Sequence, residues 1–359
     1  MKLYTYCCTA VLLFCLNVQP IAAQTLLPTT ADTVTVVAVG DIMMGTIYPN
    51  RQYLPPNEDC SGQLQPVSHI LRSGDITFGN LEGVLIDSNE TAKQCKNSQY
   101  CYTFGMPTKF VHCLTDAGFN LLSLANNHVN DFGERGRNTT METLKKAGIR
   151  FAGLEASCPV DTFTIKGVKY GFTAFAPNNG TMNLRDIAAA EAVVRQLAAQ
   201  CQVVIVSFHG GAEGSSAQHV TRKTEMYIGE NRGNVYEFAH RMIDAGADIL
   251  LGHGPHVTRA IEVYKNRFIA YSMGNFCTYE RVNVNGVNGL APIFKIYIDT
   301  EGKFLKGEII STYQEKHQPP RVDEQQRVLQ VIRNLTKTDF PEMSSVINID
   351  DKGVVTMKD

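Results

Sequence analysis

The stretch "FNLLSLANNHVNDFGERG" (Phe119–Gly136) passes from an almost wholly apolar run into two amides and an imidazole. Residues 119–125 have the length and composition of a strand buried on both faces, and Asn126, Asn127 and His128 follow where that strand ends. A helical pattern from Asn138 to Ala147 then stops at Gly148, the expected glycine terminator. Strand, polar end and helix together form one unit of a layered sheet, and the unit recurs along the chain. Further strands are expected at 33–40 (TVTVVAVG), 75–82 (DITFGNLE), 202–210 (QVVIVSFHG) and 247–254 (ADILLGHG). Helices are expected at Lys109–Ala117, Leu184–Ala199 and Asn234–Ala245. Strands that are nearly all apolar and separated by helices predict an α/β domain whose central strands are covered on both sides.

Some segments break that rhythm. Residues 161–177 read as two strands around Gly167, and 259–276 as a second pair turning at Lys265 and Asn266, with more strand pattern at 291–299 and 303–310. Hairpins of this kind require a second sheet or an antiparallel extension. Helical spacing returns at Val322–Leu335. The expected organisation is one domain over 30–315, followed by a helical C-terminal appendage over 316–359.

Residues 1–23 place Lys2 ahead of a short apolar stretch and end in Ala22 and Ala23, the pattern of a cleaved secretory signal. A secreted or periplasmic location is therefore expected, with no transmembrane segment in the mature chain. The 359 residues are 44% hydrophobic and carry a net charge of -2, so no basic surface points to nucleic acid. Removing the signal leaves seven cysteines, an odd number that obliges at least one thiol to stay unpaired or pair between chains. Cys60, Cys95 and Cys101 lie in polar, turn-rich sequence and are the disulfide candidates. Cys113, Cys201 and Cys277 lie in or beside apolar runs and read as buried free thiols.

The ends of the apolar strands carry the chemistry. They run into Asp41, into Asn80 and Glu82, into Asn126, Asn127 and His128, into His209, and into His253 and His256. In an open α/β sheet the carboxyl ends of the strands line one crevice, so these residues converge there. Carboxylates and amide oxygens suit hard cations, while neutral imidazoles suit zinc, iron or manganese. The mixed set fits one or two divalent metals (Mn, Fe or Zn) in a hydrolytic site that lowers the pKa of bound water. Taken singly, Asp41 and Asn126 are ordinary turn or cap residues and His209 an ordinary structural histidine; the conjunction is what points to a metal. Asn275 follows another apolar strand and joins or caps the site. Gly210–Gly214 forms at most a weak anion-binding turn; Arg222, Lys223, Arg232 and Arg259 could hold an anionic substrate such as a phosphate or polyglutamate, but each reads first as a solvated surface charge.

In this order, "VAVGDIMMG", "GNLEGVL", "SLANNHVNDFGERG", "VSFHGGAEG", "GHGPHVTRAIE" and "IAYSMGNF" closely resemble the bacterial capsule synthesis protein CapA family. That family is associated with poly-γ-glutamate capsules and belongs to the calcineurin-like metallophosphatase superfamily. The resemblance covers about Thr33 to Asp299 and implies a four-layer α/β/β/α sandwich with a metal site at the sheet edge. It implies metal ligation by Asp41, Asn127, His209 and the His253/His256 pair, with His128 as leaving-group acid or phosphate contact and Asn126 in support. This chain departs from the superfamily pattern at Met43, where a ligand histidine is usual, and at Asn80, where a bridging aspartate is usual. Glu82 then enters the expected ligand set. The implied activity is metal-dependent, phosphoesterase-like hydrolysis in capsule or envelope polymer biosynthesis, with an anionic small-molecule or polymer substrate and capsule-assembly partners. The rival expectation is a non-catalytic envelope protein that binds a polyanionic chain in the same crevice.

Overall fold

The structure, a computed structural model, describes Met1 and residues 33–94 and 102–358. The expected signal peptide and the cysteines at 95 and 101 lie outside the described residues.

Strand Val34–Met43 shows why two sheets form. All but one of its residues are buried, and up to Val39 its apolar side chains divide by parity. Val36 and Ala38 enter one core cluster with Phe172, Val206 and Leu250; Val37 and Val39 enter another with Leu71, Phe110 and Leu114. Successive side chains of a strand point to opposite faces, so both faces of this strand are covered. Its sheet runs in the order Ile347–Ile349, Val354–Met357, Phe304–Tyr313, Leu290–Ile298, Val34–Met43, Ile76–Leu81, Leu121–Ser123, Arg150–Ala152, with Asn275–Thr278 and Arg321–Val322 pairing off this path. The second sheet runs Ile261–Tyr264, Arg267–Ala270, Ile249–His253, Val203–His209, Val168–Ala176, Val160–Ile165, with Met182–Asn183 beside Val168–Ala176.

Helices Val111–Ala117 and Gly133–Lys146 cover the outer face of the first sheet, and Ile187–Ala198 and Val235–Asp244 that of the second. The result is a four-layer α/β/β/α arrangement of two mixed sheets. Both expected hairpins form in the second sheet, turning at Lys166–Gly167 and Lys265–Asn266, all four with positive φ. The segment after residue 315 contains its helix, Arg327–Asp339, which adds Val328, Leu329 and Ile332 to the core. It also carries a hairpin, Ile347–Ile349 with Val354–Met357, that extends the first sheet, so helix alone does not describe it. Its strands are too short for their alternation to stand out in sequence.

One cysteine expectation is corrected. Cys113, read as a free thiol because of its apolar neighbours, is disulfide-bonded to Cys60. Helix Val111–Ala117 is laid against the loop carrying Cys60, a proximity across 53 residues that local composition does not report. Cys158, Cys201 and Cys277 are free.

No helix among the described residues is long and apolar enough to cross a membrane.

Candidate metal centre

Parallel pairing aligns polar residues along the rim of the first sheet. Asp41 stands opposite Asn80 on one side and Asn275 on the other. In the second sheet His209 stands opposite His253. The two rims meet. Asp41, fully buried, accepts from His253 Nδ1 at 3.2 Å, from His256 Nδ1 at 3.0 Å and from Asn80 Nδ2 at 2.9 Å. His256 Nδ1 also lies 3.1 Å from Asn275 Oδ1, and Asn275 Nδ2 donates to the carbonyls of His256, Asn283 and Asn288. His256 sits at φ 56°, an uncommon conformation outside glycine, in the turn that presents its ring to Asp41.

Glu82, also buried, places Oε1 3.4 Å from His256 Nε2 and 3.9 Å from His128 Nε2. Asp41, Glu82 and His256 each offer a ligand atom within 4.8 Å of the others, a buried group able to hold a metal ion. His209 joins through the ladder, its ring centroid 6.1 Å from that of His256. Asn126 spans the strands beneath: Nδ2 donates to Asn80 Oδ1 and to the Leu81 carbonyl, and Oδ1 accepts from the His128 backbone.

Charge states here are set by neighbours. Burial opposes ionisation of Asp41, but hydrogen bonds from His253 and His256 outweigh it and hold its carboxyl well below the usual range. Burial and the adjacent Asp41 charge push Glu82 well above its ordinary value. Burial drives His209 well down, toward neutral imidazole. His256 also resists charging through burial, yet Glu82 and Asp41 raise it to about 10.

The donor set passes a test of fit to a cation. Glu82 Oε1, Asn127 Oδ1, both ring nitrogens of His209 and His253 Nε2 are buried with no hydrogen-bond partner among the described residues. Buried polar atoms are normally paired, and unpartnered atoms on four residues of one rim suit a cation that takes oxygen and imidazole nitrogen, each ring through one of its nitrogens. The two departures also have physical form. Met43 is a fully buried apolar side chain, and Asn80 spends its amide donor on Asp41, so neither supplies an anionic ligand.

His128 stands apart from the ligands. Its Nδ1 lies 2.7 Å from Asp131 Oδ2, its ring stacks on Phe104 at 4.1 Å, and its Nε2 faces Glu82. Asp131 also accepts from the Phe104 backbone and pairs with Lys93. Sequence reading passed over Asp131, although it stands three residues after His128, within one turn. It also passed over Glu213. The loop after His209 is bonded to the His256 turn, Gly214 N–H donating to the Pro255 carbonyl, and Glu213 beside it pairs with Arg232 at 2.9 Å. Arg232 and Arg259 are not solvated charges: both are buried, and Arg259 grips Glu225 with two nitrogens. Glu213 and Glu230 neutralise Arg232 and Glu225 neutralises Arg259, which residue type alone does not reveal.

The chain is 29% identical over 268 residues to the capsule biosynthesis protein CapA of Bacillus anthracis, covering 68% of this chain and 60% of that protein. It is 28% identical over 260 residues to the PGA biosynthesis protein CapA of Bacillus subtilis (strain 168), covering 68% and 63%. It thus spans less than two thirds of the length of these curated relatives. Similar solved structures include a novel phosphatase from Mycoplasma pneumoniae (TM-score 0.49, 13% identity, 79% of this chain and 95% of that one). A 5'-nucleotidase precursor from Thermus thermophilus is also similar (TM-score 0.45, 12% identity, 88% and 60%). The family described as bacterial capsule synthesis protein PGA_cap matches residues 35–280, a span that contains every residue of the rim. The chain therefore belongs to the bacterial capsule synthesis protein PGA_cap family.

Proposed function

We propose that this protein is an exported, metal-dependent hydrolase of phosphoesterase type that acts in capsule or cell-envelope polymer biosynthesis. The observation that carries the reading is the set of unpartnered buried donor atoms on Glu82, Asn127, His209 and His253 around the Asp41–His256 contact. Asp41, Glu82, Asn127, His209, His253 and His256 would hold a divalent cation, Mn, Fe or Zn by their chemistry. When bound, such an ion supplies Lewis acidity and activates water. Asp131 orients His128 through Nδ1, which leaves Nε2 to give a proton to a leaving group. Asn80 and Asn126 brace Asp41 and the His128 backbone from below.

Metal analysis with turnover of a generic phosphodiester tests the reading. The protein should hold metal and turn over, and His209→Ala and His253→Ala should each lose both. Metal-free protein, or turnover unchanged in both variants, removes the enzyme. The loss of a bridging carboxylate at Asn80 and of a ligand at Met43 favours one specific alternative, a crevice that binds a polyanionic chain without cleaving it. Polymer binding that persists with chelator present supports that alternative.

A further inference from the structure

A second group of metal-binding side chains lies in the outer layer of the first sheet, on helix Val111–Ala117 and the loop before it in sequence. Cys60, His112 and Cys113 offer ligand atoms within 4.8 Å of one another. The two cysteines are disulfide-bonded and buried, whereas His112 is exposed. His112 Nδ1 is hydrogen-bonded to the carbonyl of Lys109, a bond that requires the proton on Nδ1 and leaves the Nε2 lone pair free. That lone pair faces sulfur: Nε2 lies 3.3 Å from Cys113 Sγ and 4.0 Å from Cys60 Sγ. A tetrahedral zinc with Zn–N of about 2.0 Å and Zn–S of about 2.3 Å has an N···S edge of roughly 3.5 Å, between those two separations. A backbone carbonyl on the far ring nitrogen is also the usual means of aiming a ligand histidine. Access from outside runs past Cys113, which borders a surface cavity of about 210 Å³ lined also by Ser61, Leu64 and Ser68, while Cys60 lies fully buried behind it.

We propose that Cys60, His112 and Cys113 form a redox-gated zinc site, closed as a disulfide when oxidised and able to take one borderline-soft divalent cation when reduced. A dithiol reductant supplies two electrons and two protons, which break the S–S bond and leave two thiols while the reductant becomes its own disulfide. Zinc then displaces both thiol protons to solvent, with His112 Nε2 as third ligand and water as fourth. Disulfide and metal would perform the same structural task. Each ties residue 60 to residue 113 and closes the segment that carries strand Ile76–Leu81 and Glu82. The site is separate from the rim and does not depend on the function proposed for it.

The test is a cobalt titration of the full chain, reduced anaerobically with a dithiol and freed of reductant. Thiolate-to-cobalt charge transfer in the near ultraviolet should grow to the intensity of one thiolate-bound cobalt per chain, beyond any cobalt taken by the rim, be absent from the oxidised protein and vanish on adding zinc. Cobalt at the rim meets only oxygen and nitrogen donors, so it gives no such band. Cys60→Ser and Cys113→Ser should each abolish it, and His112→Ala should weaken cobalt affinity on the order of 10- to 100-fold. The proposal is overturned by a reduced protein without the band, by a band that survives in the double serine variant, or by unchanged affinity in His112→Ala. Loss of far-ultraviolet dichroism on reduction with zinc present overturns it equally.

Discussion

Asn80 is where this rim differs most from an all-carboxylate one. Its amide nitrogen donates to Asp41 at 2.9 Å while its oxygen accepts from Asn126, so both ends of the amide are used. An aspartate there cannot donate, and two buried carboxylates would face each other. Asn80→Asp is therefore expected to destabilise the chelated protein on the order of 3 kcal/mol. Added Mn2+ should offset the repulsion and raise the melting temperature of the variant more than that of the parent. Equal melting of both proteins in chelator would refute this account of the contact. Asp131 governs a different property, the direction in which His128 presents Nε2. In phosphodiester assays Asp131→Asn should lower kcat roughly 10- to 100-fold with KM little changed, and His128→Ala roughly 10²- to 10⁴-fold.

The first strand owes its aim at the rim to an irregularity. Its register against Ile76–Leu81 shifts between Ala38 and Asp41, and Gly40 lies inside the shift. A β-carbon on Gly40 would stand 1.9 Å from the Gly274 carbonyl oxygen, which itself accepts from the Asp41 amide. Because the obstacle is backbone, no side-chain rotation relieves it. Gly40→Ala should cost about 3 kcal/mol in denaturant unfolding and reduce metal content, since Asn275 and Asp41 are pushed apart together. The strands themselves were legible, because a strand covered on both faces must be apolar throughout and must end where polar groups resume. The convergence of Asp41, His253 and His256 was legible for the same reason. Less visible were features made by pairing across distance: the Cys60–Cys113 link, the Arg259–Glu225 pair, and the Asn80 amide acting as donor rather than ligand. Composition around a residue leaves its partner unnamed, and for a charged residue such as Arg259, whose burial depends on that partner, it misses the burial as well.

At the far end of the second sheet, Asp248 ties its strand to the two strands beside it. Its carboxylate accepts from the Val204 backbone at 2.7 Å and pairs with Arg267 at 2.7 Å. Burial nonetheless outweighs both and pushes its pKa up to about 6, from an ordinary 3.8. The folded chain thus binds the proton more tightly than the unfolded one. This group's contribution is present below about pH 4 and is lost as pH rises through 6. Asp248→Asn does not titrate, so its stability relative to the parent should rise by about 2 kcal/mol between pH 4 and pH 7 in denaturant melts at each pH. A constant difference across that range would show that Asp248 ionises normally.

Between the sheets most contacts are hydrocarbon, and hydrocarbon has no preferred direction, so two such surfaces resist separation far better than they resist shear. The Asp41 bonds to His253 and His256 act as a dowel through that sliding plane. Substituting Asp41 by Ala should accordingly speed amide hydrogen exchange on both sides of the joint at once, at the backbone N–H of position 41 against Gly274 and at Gly210 N–H against His253. The Asp248 amide, bonded to Val204 at the opposite end, should keep its protection, so the slippage would read as rotation about a pivot there.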